Sequence, residues 1–142
     1  MKSFLAIPFL LLLFSCGGRE DDSINCTTEY RMLTVTILDS AMRPVLLDST
    51  IVRRVSTGEL IDLGQEDPWF DSTYHRMGTY LLFTDGHMYQ TTTAGEEFTF
   101  LGFRGTKEVV NEPYVIAHDR CHVLKVEGAD TVLVGGTGSL GH

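Results

Sequence analysis

From Leu33 onward the apolar residues alternate with polar ones in short runs, and each run ends in residues that turn a chain. Leu33, Val35 and Ile37 interleave with Thr34, Thr36 and Leu38, a period of two that sets one apolar row against a core and predicts a strand. Asp39-Ser40-Ala41-Met42-Arg43-Pro44 supplies a turn, Ser49–Val55 a second strand, and Thr57-Gly58-Glu59 a break before a short return over Leu60–Leu63. Residues 64–71 hold Pro68 beside Trp69, the only Trp, and predict a loop whose ring covers the core or offers a ligand platform. Gly78–Thr84 is the strongest strand, and Asp85-Gly86 behind it is a type I′ hairpin signal leading into a partner strand over His87–Thr93. Glu97–Phe103 is apolar on both faces, which predicts a strand inside a sheet. Val109-Val110, Tyr114–Ala117, Cys121–Val126 and Thr131–Val134 complete a set of short strands, with Gly128-Ala129-Asp130 as the last turn. No window of helical length shows a 3.6-residue period, so helix should be nearly absent and the fold all-β, a single β-sandwich.

The remaining apolar run, Phe4–Phe14 behind Lys2, is too short to cross a hydrocarbon layer of about 30 Å and has the form of a secretory leader. Its end, Leu13-Phe14-Ser15-Cys16, resembles the bacterial lipobox: an apolar residue three before the cut, a small residue just before it, and Cys directly after. The resemblance implies a lipoprotein signal peptide over 1–15 and a diacylglycerol thioether on Cys16, often with a further acyl chain on the new amine. At about 0.8 kcal/mol per buried CH₂, two or three chains anchor a protein durably where one would not. An ordinary signal peptide cut elsewhere is the alternative. Gly17-Gly18-Arg19-Glu20-Asp21-Asp22-Ser23 has nothing to pack and predicts a flexible acidic tether over 16–29. Its Glu20-Asp21-Asp22 run also resembles the acidic export signal that carries some Gram-negative lipoproteins to the outer surface; a solvated linker accounts for it equally.

Cleavage leaves 127 residues, enough for one domain over 30–134 and a Gly-rich tail over 135–142. Loss of Lys2 takes the formal charge from −8 to −9 with no basic run, which argues against nucleic acid and against anionic lipid as direct partners. Of the three Cys, Cys16 is taken by lipid, and Cys26 and Cys121 remain as a pair for which a disulfide is the expected outcome in an oxidising compartment. The alternative is two free, buried thiols.

Val35-Thr36-Ile37-Leu38-Asp39, Arg43-Pro44-Val45, Ile51-Val52-Arg53-Arg54-Val55 with Thr57-Gly58-Glu59, and Gly78-Thr79-Tyr80-Leu81 together resemble the carboxypeptidase regulatory-like domain, a small transthyretin-like (immunoglobulin-like) β-sandwich. The likeness spans about residues 33–83. It departs at Leu47-Asp48-Ser49-Thr50, where the family carries a Gly-Ala pair, and in the insertion before Gly78. Tyr114–Gly128, with Asp119-Arg120-Cys121-His122, is similar to the C-terminal strand pair of small surface lipoproteins that carry this domain. Such modules brace, space or bind neighbours, so the resemblance implies no catalytic residues.

The chemistry-bearing residues support little else. Cys121-His122 as strand neighbours would point to opposite faces, and His118 and His122 on one extended strand would stand about 13 Å apart, too far for a shared metal. His75 and His87 are loop residues that could meet in space. Asp62, Glu66, Asp67 and Asp71 surround Trp69 without the spacing of an EF-hand, and a solvated acidic loop is preferred to a calcium site. The expectation is therefore a non-catalytic lipoprotein without metal or cofactor, anchored in the outer membrane through Cys16. It would act as an accessory or binding module for an envelope protein or glycan, or alternatively as a structural spacer or assembly subunit.

Overall fold

The computed structural model describes residues 25–63 and 73–135. The expected leader, Cys16, the expected tether as far as residue 24, the expected loop around Trp69 and the expected tail from residue 136 lie outside them. Eight strands occur among the described residues: β1 (Met32–Asp39), β2 (Ser49–Arg54), β3 (Leu60–Ile61), β4 (Thr79–Thr84), β5 (Glu96–Arg104), β6 (Lys107–His118), β7 (Val123–Glu127) and β8 (Thr131–Val134). They form a three-stranded sheet in the order β4-β1-β8 and a five-stranded sheet in the order β3-β2-β5-β6-β7. All pairings are antiparallel except β1 with β8. Among the described residues, helix is confined to one turn over 73–76 and a 3₁₀ segment, Asp85–Gln90.

One core cluster draws on both sheets: Val35, Ile37, Tyr80 and Leu82 from the first meet Val52, Phe98, Phe100 and Ile116 from the second. The period-two pattern of β1 does what its spacing predicts, burying Val35 and Ile37 completely. Strand β4 breaks the alternation. Leu33 pairs with Phe83 but Thr34 with Leu81, so Leu82 is an extra residue on β4, and this bulge lets the neighbours Leu82 and Phe83 both reach the core.

Two expectations from the chain are corrected. Asp85-Gly86 does not close a hairpin: residues 85–90 coil into the 3₁₀ segment, and β4 pairs with β1 instead. The reason is tertiary, because the Asp85 carboxylate is engaged by groups far away in sequence. Val109-Val110 and Tyr114–Ala117 are parts of one strand, β6, which runs through Pro113. Pro lacks an N–H, and β6 accommodates it because β7 pairs only with Val115–His118, leaving Pro113 in ladder register with β5 alone. After Gly128-Ala129-Asp130 the chain changes sheet, and β8 joins β1 rather than β7. Tyr114 holds this crossing: its hydroxyl donates to the Ala129 carbonyl at 2.9 Å, and its ring lies where a Cβ on Gly128 (φ 120°) would be, 2.1 Å from the nearest ring carbon. Burial pushes the Tyr114 hydroxyl pKa up to about 12.

Gly78 and Tyr80 fasten the opposite corner. The carbonyl oxygen of Gly78 (φ 71°) accepts a hydrogen bond from Ile37 N–H at 2.7 Å, and a Cβ on Gly78 would meet the Ile37 carbonyl at 2.5 Å. The buried Tyr80 hydroxyl donates to Val45 O at 2.8 Å and accepts from Leu47 N–H at 2.7 Å, tying the loop after Pro44 to β4. Tyr80→Phe leaves both backbone groups without this partner and should cost about 1–3 kcal/mol. A denaturant midpoint unchanged by that substitution would show that the loop finds other partners.

Candidate functional site

The densest polar arrangement among the described residues lies where the N-terminal segment meets the body. Cys26 is bonded to Cys121 with the two Cα atoms 5.3 Å apart. One residue on, Thr27 Oγ1 lies 2.9 Å from His122 Nε2, and His122 Nδ1 lies 2.7 Å from Asp85 Oδ2. Asp85 Oδ2 also accepts Arg31 N–H and Asp85 Oδ1 accepts Val123 N–H, both at 2.7 Å. The Asp85 N–H returns a bond to Arg31 O at 3.0 Å, and Gly86 N–H donates to the Tyr30 hydroxyl at 3.3 Å. Residues 26–31 are thus sewn to the β4 end and to the β6–β7 turn at five places.

The turn has its own local cause. Asp119 Oδ1 accepts the N–H groups of Cys121 and His122 at 2.9 and 2.7 Å, an Asx turn that presents both side chains to the N-terminal segment. Arg120 takes φ 79° within it, and its N–H donates to His118 Nδ1. The two backbone donors, His122 first, hold the Asp119 carboxyl below the usual carboxylate range against a smaller opposing effect of burial.

Asp85 and His122 are buried side chains, 11% and 8% exposed. Burial works to raise the Asp85 pKa, but the bonds from His122, Arg31 N–H and Val123 N–H outweigh it, and the net shift is downward. An ionised carboxylate only accepts, so it fixes the proton of a neutral His122 on Nδ1 and turns the Nε2 lone pair toward the Thr27 hydroxyl. Carboxylate, imidazole and hydroxyl stand in the order used for acyl transfer by serine hydrolases. Here the hydroxyl belongs to the segment being held, and the carboxylate also binds the backbone N–H of Arg31 in that segment and of Val123 at the start of β7. That is the construction of a latch.

The other candidates separate. Cys121 and His122 sit in a turn rather than on a strand, and Cys121 is in a disulfide, so the expected strand geometry does not apply to the pair. His118 and His122 likewise flank that turn instead of lying along an extended run; Asp119 N–H donates to His122 O at 3.1 Å between them. His75 packs against the Tyr80 ring at 4.8 Å, whereas His87 bonds Thr84 Oγ1 at 2.7 Å and meets the Phe83 ring edge-on. These contacts are at opposite ends of β4, so His75 and His87 do not meet. Asp62 follows β3, while Glu66, Asp67 and Asp71 lie outside the described residues. Among the described residues no group of three His, Cys, Asp or Glu side chains is arranged to hold a metal, and no helix is long and apolar enough to cross a membrane.

A shallow hollow of about 330 Å³ opens elsewhere, over β5–β7, with Val55, Pro113 and Val115 on its walls and Glu97 and Glu127 beside them. Comparison with protein families, curated proteins and solved structures finds no match for this chain. Thr27 and Arg31 carried no recognisable motif in the sequence, and Asp85 was legible only as part of the Asp85-Gly86 turn signal directly behind the strongest strand.

Proposed function

We propose that the protein is a non-catalytic lipoprotein, held at the outer membrane by lipid on Cys16, whose β-sandwich of the carboxypeptidase regulatory-like type serves as an accessory or binding module at the cell envelope. The observation that carries this reading is Leu13-Phe14-Ser15-Cys16 at the end of a short apolar leader. The Cys26–Cys121 bond supports it, because disulfides persist in the oxidising space to which such a leader delivers a chain. The two-sheet architecture and the close approach of Gly78 to β1 are in keeping with the family likeness. The hollow beside Glu97 and Glu127 offers a partner an apolar floor with negative flanks.

Cys16→Ser tests the anchor. The native protein should stay with the membrane pellet through high salt, with an N-terminal peptide heavier by its acyl chains, and the variant should appear in the soluble envelope fraction. An equally membrane-bound Cys16→Ser protein would end the lipoprotein reading. The spacer alternative is favoured by the latch, which fixes where the tether leaves the body. Crosslinking in intact cells separates the two: a binding module yields a partner linked near the hollow, and a spacer yields none there.

A further inference from the structure

Strand β6 has an open side. It pairs with β5 over Lys107–Ile116, but β7 covers only Val115–His118, and among the described residues no strand lies on the far side of Glu108–Tyr114. Pairing with β5 also fixes which backbone groups face that opening. Val55 N–H donates to Glu97 O at 2.9 Å, which turns the Glu97 backbone toward β2 and makes Glu97–Val115 a pair without mutual hydrogen bonds. Antiparallel pairs alternate, so Thr99–Pro113 and Leu101–Asn111 are of the same kind. That suits Pro113, which has no N–H to give to β5. It also directs Asn111 N–H, Asn111 O and Pro113 O away from β5, and both residues are exposed. An unpaired row of this sort is a template on which an extended peptide adds as a strand.

The hollow lies at one end of this row and says what the peptide carries. Glu97 stands against Val115 and Val115 against Glu127, with Val55 and Pro113 beside them. At about 330 Å³ the hollow is at the small end for ligand sites and takes one side chain of a longer ligand. Its floor is apolar, and the carboxylates of Glu97 and Glu127 flank it from strands about 10 Å apart. The cations nearby are already taken, Arg54 by Glu59 and Glu96 and Lys125 by Asp130. Among the described residues neither Glu97 nor Glu127 has a cation as partner. Two carboxylates over an apolar floor match an aliphatic stem that ends in a positive charge, and the planar, five-donor fork of Arg bridges such a gap better than the compact ammonium of Lys. We infer that the open side of β6 binds an extended, basic segment of a partner protein by strand addition, with an Arg of that segment seated between Glu97 and Glu127. This inference rests on the reading of the domain as a binding module and names the chemistry of its partner. The same charges oppose a second copy of the chain, which would bring its own Glu108 and Glu112 to a seam that already holds both.

The test uses the whole protein in a mild nonionic detergent, so its outcome does not depend on the anchor. The probe is a fluorescein-labelled short peptide of alternating Thr and Val with one central Arg, compared with the same peptide carrying citrulline, which keeps the shape of Arg without its charge. Fluorescence anisotropy should show the Arg peptide binding at least about tenfold more tightly, and Glu97→Gln with Glu127→Gln should erase that difference. Hydrogen exchange reads the backbone separately. In the free protein the Asn111 amide should exchange much faster than those of Val110 and Glu112, which face β5, and saturating Arg peptide should slow it by about tenfold or more. An Arg peptide that binds no better than its citrulline counterpart overturns the inference, and so does a bound peptide that leaves Asn111 exchange unchanged. A dimer in the ultracentrifuge whose Asn111 is protected before any peptide is added overturns it in favour of a second copy. A cellular partner crosslinked only away from the hollow overturns this site and leaves the binding module standing. Failure to crosslink any partner in intact cells removes the module and the site together.

Discussion

Replacing Cys26 and Cys121 with serine should lower the unfolding free energy by about 3–5 kcal/mol and the midpoint of thermal unfolding by more than about 10 °C. The bond joins residues 95 apart, nearly the whole length of the domain, and so restrains the unfolded chain strongly. In the chain-entropy account a loop of that size contributes up to about 4.7 kcal/mol, and native disulfides in small secreted domains fall between 2 and 5. A second loss adds to the first. Thr27 and Tyr30 lie on an exposed segment outside the sheets, and their bonds to His122 and Gly86 depend on Cys26 holding that segment in place. The double variant should therefore lose hydrogen-exchange protection at Arg31 and Val123 before the sheets open. Dithiothreitol on the native protein should reproduce the shift. A midpoint moved by less than about 3 °C would mean that the noncovalent bonds alone hold the segment.

The strands were legible in the sequence wherever a face alternated. β1, β2, β4 and β5 lie where their periodicity puts them, and Gly58 and Gly105 end elements at positive φ as turn residues do. What could not be read was partnership. Leu82 looks like one more residue of an apolar strand, and only the register against β1 makes it a bulge. Pro113 looks like a strand break, and only the shortness of β7 makes it tolerable. Asp85-Gly86 followed the local rule for a hairpin and lost to three long-range bonds to one carboxylate, a case of tertiary contacts overriding turn propensity. The site was half visible for the same reason. Cys26 and Cys121 offered a pair by count once Cys16 was set aside, whereas Thr27, Asp85 and His122 are ordinary residues until the fold brings them within 3 Å.

Asp85→Ala should be the most damaging single substitution at the latch, costing about 3–5 kcal/mol. It removes the acceptor of Arg31 N–H, Val123 N–H and His122 Nδ1 at a side chain only 11% exposed, so buried donors on three elements lose their partner at once. Asp85→Asn keeps one acceptor and should cost less, about 1–3 kcal/mol. The Asn variant also isolates the proton. Because the folded carboxyl titrates below its unfolded value of about 3.9, the Asp85 contribution is complete above that value and is lost as pH falls through the folded pKa. Asp39 and Asp119 are held down as well, by Arg43 and by the turn's own N–H groups, so the native protein should weaken steeply in acid. Removing one such group lessens the slope by up to about 1.4 kcal/mol per pH unit. Denaturant unfolding between pH 5 and 2.5, over about the range where carboxylates protonate, should show the native and Asp85→Asn curves converging as pH falls. Parallel curves would place the acid sensitivity in the exposed turns and leave the latch as a neutral hydrogen-bonded contact.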